Sequence, residues 1–390
     1  MERLRRTVLA VLVLVLLAAL AAPAGAGAGS GRGHDAGRHG GKGKPLTVMT
    51  RNLYLGGDVT RPLVALGLPP DQQVPAFVAA NSELRAIVDL TSFPLRSRQL
   101  AREVARHRPD LIGLQEVALW RRGPLDGSPA TTVDYDFLAI LLDDLRALGQ
   151  RYHVAHVQQE SDVAGPAVVG GTLQNVRLTI RDVVLERAGN GVRVLAASGA
   201  NYATRIPLEL AGQRLEFVRG YNVVDVRAGS KRVRFVNTHL ESQFSDVAFA
   251  QAAELLAGPA APTDRPVILV CDCNSDPLDA RVKSGEVHAH RDPYLLIVGA
   301  GFLDTWLRIA PAEAGFTSGL SELVNDTPAE AAARFDHRID FVFARGAGGS
   351  QVRVDRGAVV GRDPDERTPA TAIGRLWPSD HAGVVVRLRP

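Results

Sequence analysis

Polar side chains that could carry out hydrolytic chemistry follow or begin six hydrophobic segments with the pattern of β-strands. They are Asn52, Glu116, His239, the pair Asp272 and Asn274, Asp340, and the pair Asp380 and His381. Buried carboxylates are costly unless they are paired, hydrogen-bonded or bound to a metal. One such residue says little, because strands need polar ends, but the whole set predicts that these side chains converge at one sheet edge.

The residue types indicate metal-assisted acid–base chemistry. Oxygen ligands such as Glu116 and Asp380 suit a hard cation, Mg²⁺ or Mn²⁺. Asp272 and Asn274 are two positions apart, so on an extended chain both side chains face the same side. Histidines such as His381 can exchange a proton near neutral pH.

In its composition and order, this set resembles the endonuclease/exonuclease/phosphatase superfamily, which includes pancreatic-type deoxyribonucleases and bacterial neutral sphingomyelinases. The resemblance covers nearly the whole chain after Leu46. It implies an α/β fold, a four-layer α/β/β/α sandwich of two mixed sheets with the site at the top of both. It also implies a metal-dependent hydrolase that cleaves a phosphate ester by in-line attack of water. His239 favours the deoxyribonuclease and sphingomyelinase branches, because the abasic-site endonucleases lack a histidine there.

The resemblance implies a metal centre and a general base. The implied metal-site residues are Glu116 as the main ligand, with Asn52 and Asp380. His381 is the implied general base, and Asp340 resembles the acid that orients it. Asp336, four residues upstream, is an alternative orienting acid.

A second group of residues is implied to contact the phosphate. Asp272 and Asn274 resemble the family's Asp-x-Asn motif, which contacts phosphate and orients the nucleophile. His239 would hydrogen-bond the phosphoryl group, and Arg219 resembles a phosphate-contacting arginine of the deoxyribonuclease branch.

Two cysteines depart from the family pattern. Cys271 stands where the family usually has glycine, and Cys273 stands where a bulky apolar residue is usual. Residues i and i+2 of a strand are roughly 6–7 Å apart, whereas a disulfide prefers a Cβ spacing of ~4 Å. We therefore expect free thiols.

Short apolar runs and helical periodicities indicate the remaining elements of one mixed α/β domain. Predicted strands are Leu46–Met49, Leu111–Leu114, Arg214–Val218, Val223–Val226, Val233–Val236, Val267–Val270, Ile339–Phe343 and Val384–Leu388, with a hairpin across Arg227–Ser230. Predicted helices are Leu95–Arg106, Asp136–Leu148 and Asp246–Leu256. Residues 57–93 are expected to be a partly helical insertion, with a lid and plain packing both open. Trp120, Trp306 and Trp377 are expected to pack, and His288 and His290 to lie on an exposed loop.

The N-terminus has the layout of a secretory signal peptide. Arg3, Arg5 and Arg6 precede the uncharged run Thr7–Ala22, and small residues follow Pro23. We expect a signal peptide over residues 1–26, a Gly-rich flexible linker over 27–44 and the catalytic domain over 45–390. The protein is then secreted, without a membrane anchor after processing; a retained anchor is the alternative.

Composition leaves the substrate open. Apolar residues make up 46% and charged residues 22% of the chain, which excludes a wholly disordered, collagen-like or coiled-coil protein. The formal charge is +3 and falls to +1 without the signal segment, so nucleic acid is not favoured by net charge. Three substrate classes remain open: a nucleic acid, a phospholipid such as sphingomyelin, and a small phosphorylated metabolite. We expect the enzyme to be a monomer. The other class is an extracellular binding module that kept the fold and lost the chemistry.

Overall fold

Two mixed β-sheets lie face to face in the computed structural model, which describes residues 44–210 and 213–390. The predicted signal peptide 1–26, and the linker 27–44 apart from Lys44, lie outside the described residues. The strands are β1 Leu46–Asn52, β2 Leu111–Gln115, β3 Leu119–Gly123, β4 Thr132–Asp136, β5 Tyr152–Val169, β6 Thr172–Arg187, β7 Val192–Asn201, β8 Ile206–Leu210, β9 Gln213–Phe217, β10 Gly220–Ala228, β11 Lys231–His239, β12 Val267–Asp272, β13 Leu303–Asp304, β14 Asp340–Arg345, β15 Arg353–Val360, β16 Ala370–Thr371, β17 Gly374–Arg375 and β18 Gly383–Arg389.

Helices flank these strands in the sequence. They are α1 Pro70–Leu90, α2 Phe93–His107, α3 Phe137–Ala147, α4 Ser245–Ala257, α5 Asp292–Gly299, α6 Trp306–Ile309 and α7 Pro328–Arg334, and Arg61–Gly67 is a 3₁₀ helix. Among the described residues, none of these helices has the length and apolar character needed to span a membrane.

The first sheet has the order β15-β18-β1-β2-β6-β3-β4, with β5 paired to β6, and the second has the order β13-β14-β12-β11-β10-β7. Each sheet contains one parallel pair, β1 with β2 and β11 with β12, among antiparallel neighbours. The carboxyl ends of parallel strands meet at one edge, so each sheet brings two strand ends together there. Two-stranded ribbons, β8–β9 and β16–β17, complete the described pairing.

The core has three apolar layers, which define four layers of secondary structure. Side chains from both sheets, such as Val48 and Phe235, fill the space between the sheets. Helices α1 to α3 cover the outer face of the first sheet through residues such as Leu100. Helices α4 and α5 cover the outer face of the second sheet through Leu255 and Ile297. The predicted four-layer α/β/β/α sandwich of two mixed sheets is therefore confirmed.

The elements predicted from sequence are present with different ends: β10 and β11 are each five residues longer than predicted, whereas α3 is two residues shorter. The expected hairpin is the β10–β11 pair, in which Val223 lies opposite Val236. Residues 57–93 contain the 3₁₀ helix and α1, so the insertion is partly helical as predicted. The hairpin β5–β6 was not predicted; α1 packs on its β5 strand.

Cys271 and Cys273 form a disulfide, so the expectation of free thiols was wrong. Their Cα atoms are 5.1 Å apart, closer than an extended strand would place them. β12 ends at Asp272, and the chain bends immediately afterwards, with Asn274 at φ 45°. The short spacing of the two cysteines shows that the chain leaves the extended conformation at Asp272, the last residue of β12, and both cysteines are fully buried.

Candidate active site

The candidate site lies where the carboxyl ends of β1, β2, β11 and β12 meet the start of β14 and the segment before β18. Strand register places His239 beside Asp272, and Asp272 beside Asp340. Hydrogen bonds across the sheets then connect Asn52 of the first sheet to Asp272 of the second. The fold thus brings together side chains that are more than three hundred positions apart in sequence.

His381 and Asp340 form a buried pair. Nδ1 of His381 lies 2.9 Å from Oδ2 of Asp340 and 3.7 Å from Oδ2 of Asp272. Nδ1 therefore donates its proton to Asp340, and a neutral ring keeps its lone pair on Nε2. Burial opposes the imidazolium, but the carboxylates of Asp340, Asp272 and Asp380 outweigh it and raise the pKa of His381 well above its usual value.

Asp272 is at the centre of the hydrogen-bond network. Its Oδ2 accepts a 2.9 Å bond from Nδ2 of Asn52, and its Oδ1 accepts a 3.1 Å bond from the backbone N–H of Asn274. Burial raises the pKa of Asp272 to about 7, with a further increase from Asp340, while His381 opposes the shift. The Asn52 side chain also accepts a 2.8 Å bond from the Tyr54 N–H, so it holds Asp272 against the loop after β1.

His239 lies between two hydrogen-bond donors. Nη1 of Arg219 is 2.9 Å from its Nδ1, and Nδ2 of Asn274 is 3.0 Å from its Nε2. An imidazolium would place a donor against a donor on both sides, which disfavours the charged form. Burial, Arg219 and His381 together lower the pKa of His239 well below its usual value. His239 is therefore a neutral group suited to hydrogen bonding.

Glu116 and Asp380 are the half-buried acids of the site. Glu116 follows β2 with φ 57°, and its Oε2 accepts a 2.8 Å bond from the Leu55 N–H. Burial raises the pKa of Glu116, and the neighbouring Asp380 raises it further. Because a second negative charge makes ionisation of Glu116 more costly, a divalent cation held by Glu116, Asp380 and the amide oxygen of Asn52 would stabilise the ionised carboxylates. The chemistry of these residues thus fits the metal that the sequence implies.

Two buried arginines position the site from behind. Arg51 on β1 forms a 3.0 Å ion pair with Glu103 of α2 and donates to the carbonyl of His381. Arg96 of α2 donates 2.8 Å bonds to the carbonyls of Leu53 and Pro378. These bonds join the loop after β1 to the segment that carries Asp380 and His381.

Three acids beside His239 were missed by the sequence analysis. Glu160 of β5 and Glu241 lie 3.9 Å and 3.7 Å from Arg219, and Asp182 of β6 lies close to Glu160 and His239. Glu160 and Asp182 lie within strands and not at their ends. An acid within a strand ordinarily faces solvent, so no local pattern in the sequence marks Asp182 as part of the site.

Other predicted residues lie elsewhere. Asp336 bonds to His337 on the surface, so the orienting partner of His381 is Asp340. His288 pairs with Asp246 at 2.8 Å and is half-buried, like His290, so these histidines are less exposed than expected. The three tryptophans are buried, as predicted for packing residues.

Comparisons with known proteins identify the family of the chain and its fold. The Endonuclease/Exonuclease/phosphatase family model matches residues 81–381, whereas no curated protein matches the chain. Among solved structures, an endonuclease/exonuclease/phosphatase from Beutenbergia cavernae DSM 12333 is 22% identical, with TM-score 0.51 over 89% of this chain and 72% of that one. A family protein from Leptotrichia buccalis C-1013-b is 15% identical, with TM-score 0.50 over 88% of this chain and 99% of that one. The structural likeness concerns the fold, and with the family match over most of its length the chain belongs to the endonuclease/exonuclease/phosphatase family.

Proposed function

We propose that this protein is a secreted, divalent-metal-dependent phosphodiester hydrolase in which His381 is the general base. The observation that carries the proposal is the buried Asp340–His381 pair, whose Nδ1–carboxylate bond leaves Nε2 as the basic nitrogen. A base held by a carboxylate in this way keeps one tautomer and one ring orientation.

Glu116, Asp380 and Asn52 would hold the cation. When bound, Mg²⁺ or Mn²⁺ would neutralise charge that develops on the phosphoryl oxygens and the leaving group.

The chain's own residues would carry the proton and the phosphate contacts. His381 takes a proton from water at Nε2 as the water oxygen attacks phosphorus in line; the ester P–O bond opposite the water breaks, and the released alkoxide takes a proton from solvent. Asn274 and the neutral His239 hydrogen-bond the phosphoryl oxygens, and Arg219 adds a positive charge behind His239. Asp272 orients Asn274 through its 3.1 Å bond to the backbone N–H.

Hydrolysis of bis-p-nitrophenyl phosphate tests the reaction. We expect turnover with Mg²⁺ or Mn²⁺, none after EDTA, and a loss on the order of 10²–10⁴ in kcat for His381→Ala. His337→Ala is the matched control, because His337 lies at the surface beside Asp336. An unchanged kcat in His381→Ala contradicts the proposed base, and an inactive wild-type protein that still binds phosphodiesters favours the non-catalytic binding module.

The substrate class needs a direct comparison. Plasmid DNA, RNA and sphingomyelin vesicles assayed in parallel, with p-nitrophenyl phosphate as the monoester control, would identify it. Export is tested separately by intact-mass measurement of the protein from culture medium. A mass that retains residues 1–22 would contradict cleavage of the signal segment.

A further inference from the structure

A second group of potential metal ligands lies beside His239. Glu160, Asp182 and His239 each offer one ligand atom, and these atoms lie within 4.8 Å of one another. The three side chains come from β5, β6 and β11, and their residues are only 4%, 0% and 1% exposed. The group shares no residue with Glu116, Asn52 and Asp380, the ligands expected for the catalytic metal.

Three carboxylate oxygens in this group lack hydrogen-bond partners within the described part of the chain. They are Oε2 of Glu160 and both side-chain oxygens of Asp182. The other oxygen of Glu160 accepts a 2.9 Å bond from the Gly220 N–H. Nearly all buried polar atoms in folded proteins have a partner, so a fully buried carboxylate with neither oxygen bonded lacks a partner that a cation or a proton would supply.

The local charge is also unbalanced. Arg219 is the nearby cation, and it lies 3.9 Å from Glu160 and 3.7 Å from Glu241. Asp182 makes no ion pair with any other described residue within 4.0 Å. One guanidinium thus faces three acids, and burying such an excess of negative charge is unfavourable without a further cation or protons.

We propose that Glu160, Asp182 and His239 bind a divalent cation. Metal–ligand bonds of roughly 2.0–2.2 Å place the ligands of one ion about 3–4.4 Å apart, and the three ligand atoms all lie within 4.8 Å of one another. Two carboxylates with one imidazole nitrogen favour Mn²⁺ or Zn²⁺ over Mg²⁺, which prefers oxygen ligands alone. A histidine binds a metal through its neutral imidazole. The hydrogen-bond donors around His239 already favour the neutral ring.

Protonation of the two acids is the competing explanation. Burial raises the pKa of Glu160 to about 8, so protons could supply the missing charge in the absence of metal. Binding of the cation would then release protons, and its affinity would increase with pH.

Metal stoichiometry of the full-length protein distinguishes the two explanations without any assay of turnover. Apo protein is titrated with Mn²⁺, and free Mn²⁺ is followed by electron paramagnetic resonance. We expect the Glu116→Gln variant to bind one Mn²⁺. Adding Asp182→Asn to this variant should lower its affinity for Mn²⁺ at least tenfold. Glu160→Gln is the second variant in case Asp182→Asn fails to fold, and Asp336→Asn is the surface control. Thermal unfolding establishes that each variant is folded.

Two outcomes would overturn the proposal. One is a Glu116→Gln protein that binds no Mn²⁺. The other is Mn²⁺ binding that stays unchanged in both the Asp182→Asn and the Glu160→Gln variants. Neither outcome bears on the proposed hydrolysis, which is measured by turnover and by His381→Ala.

Discussion

At the scale of single residues, Asp340 both orients His381 and sets its charge. Asp340→Asn keeps the shape of the side chain but removes one of the carboxylates that raise the pKa of His381. We expect kcat to fall on the order of 10²-fold, because the amide can hold the wrong tautomer. We also expect the acid limb of kcat/KM to move to lower pH, because a general base with a lower pKa stays unprotonated in more acidic solution. Rate profiles from about pH 5 to pH 9 measure both effects.

Asp336→Asn is the control for this prediction. Asp336 was the alternative orienting acid, but it bonds to His337 at the surface. Its substitution should leave kcat and the pH profile unchanged. If Asp336→Asn shifts the profile and Asp340→Asn does not, the assignment of the orienting acid is wrong.

Residues at strand ends could be predicted, and residues within strands could not. A polar side chain directly after an apolar run, such as Glu116 or Asp272, is a visible interruption of the pattern. Asp182 lies inside β6, where an acid would ordinarily face solvent. Only the stacking of the two sheets shows that it faces the buried side of His239, and stacking is not encoded in a local pattern.

At the scale of elements, Gly113 on β2 allows the two sheets to approach closely. A Cβ atom at this position would lie 2.4 Å from Oδ1 of Asn237 and 2.4 Å from Cγ2 of Val270. Asn237 accepts a 2.6 Å bond from Gln115, the residue before Glu116. We expect Gly113→Ala to reduce the free energy of unfolding by about 1–3 kcal/mol and to lower activity, because β2 must shift and carries Glu116 with it.

Urea denaturation and kcat for Gly113→Ala test this expectation. Gly67→Ala is the matched control, because a Cβ there meets no atom within 4 Å. If Gly113→Ala is as stable and active as the control variant, the sheets are less tightly packed than the structure indicates.

The end of β12 is fixed by the Cys271–Cys273 disulfide on either side of Asp272. Its three-residue loop contributes little chain entropy, about 1–2 kcal/mol, so its main effect should be on position. We expect the double variant Cys271→Ala/Cys273→Ala to remain folded. Its kcat should fall by a larger factor than its KM rises, because Asp272 and Asn274 become mobile. Steady-state kinetics measure this split. A thiol count on the denatured, unreduced wild-type protein should be zero, and a count of two would contradict the bond.

Most elements could be predicted because their apolar runs are short and clearly bounded. The β5–β6 hairpin was missed because its strands are long and half polar, with an exposed face that dilutes the apolar signal. Gly170-Gly171 between Val169 and Thr172 was the usable turn signal; both glycines have positive φ, as a tight hairpin turn requires.

At the scale of the whole molecule, the sandwich concentrates buried acids at one edge, and its stability should therefore depend on pH. Glu160 has a pKa raised to about 8 and Asp272 a pKa raised to about 7, against about 4 in the unfolded chain. A raised carboxyl pKa favours the folded state while the group is protonated, and this contribution is lost as pH rises through the folded pKa. His381, also raised, acts in the same direction, whereas the low-pKa His239 is mostly neutral in both states above about pH 7.

We therefore expect the metal-free protein in EDTA to lose about 1–2 kcal/mol of unfolding free energy between about pH 7 and pH 9. Urea denaturation at these pH values measures the change. Glu160→Gln should reduce the slope, because an amide cannot ionise, whereas the surface variant Asp336→Asn should keep it. A wild-type stability that is constant or increases over this interval would mean that the buried acids are ionised in the folded protein. In that case only cations, and not protons, could balance the charge between the two sheets.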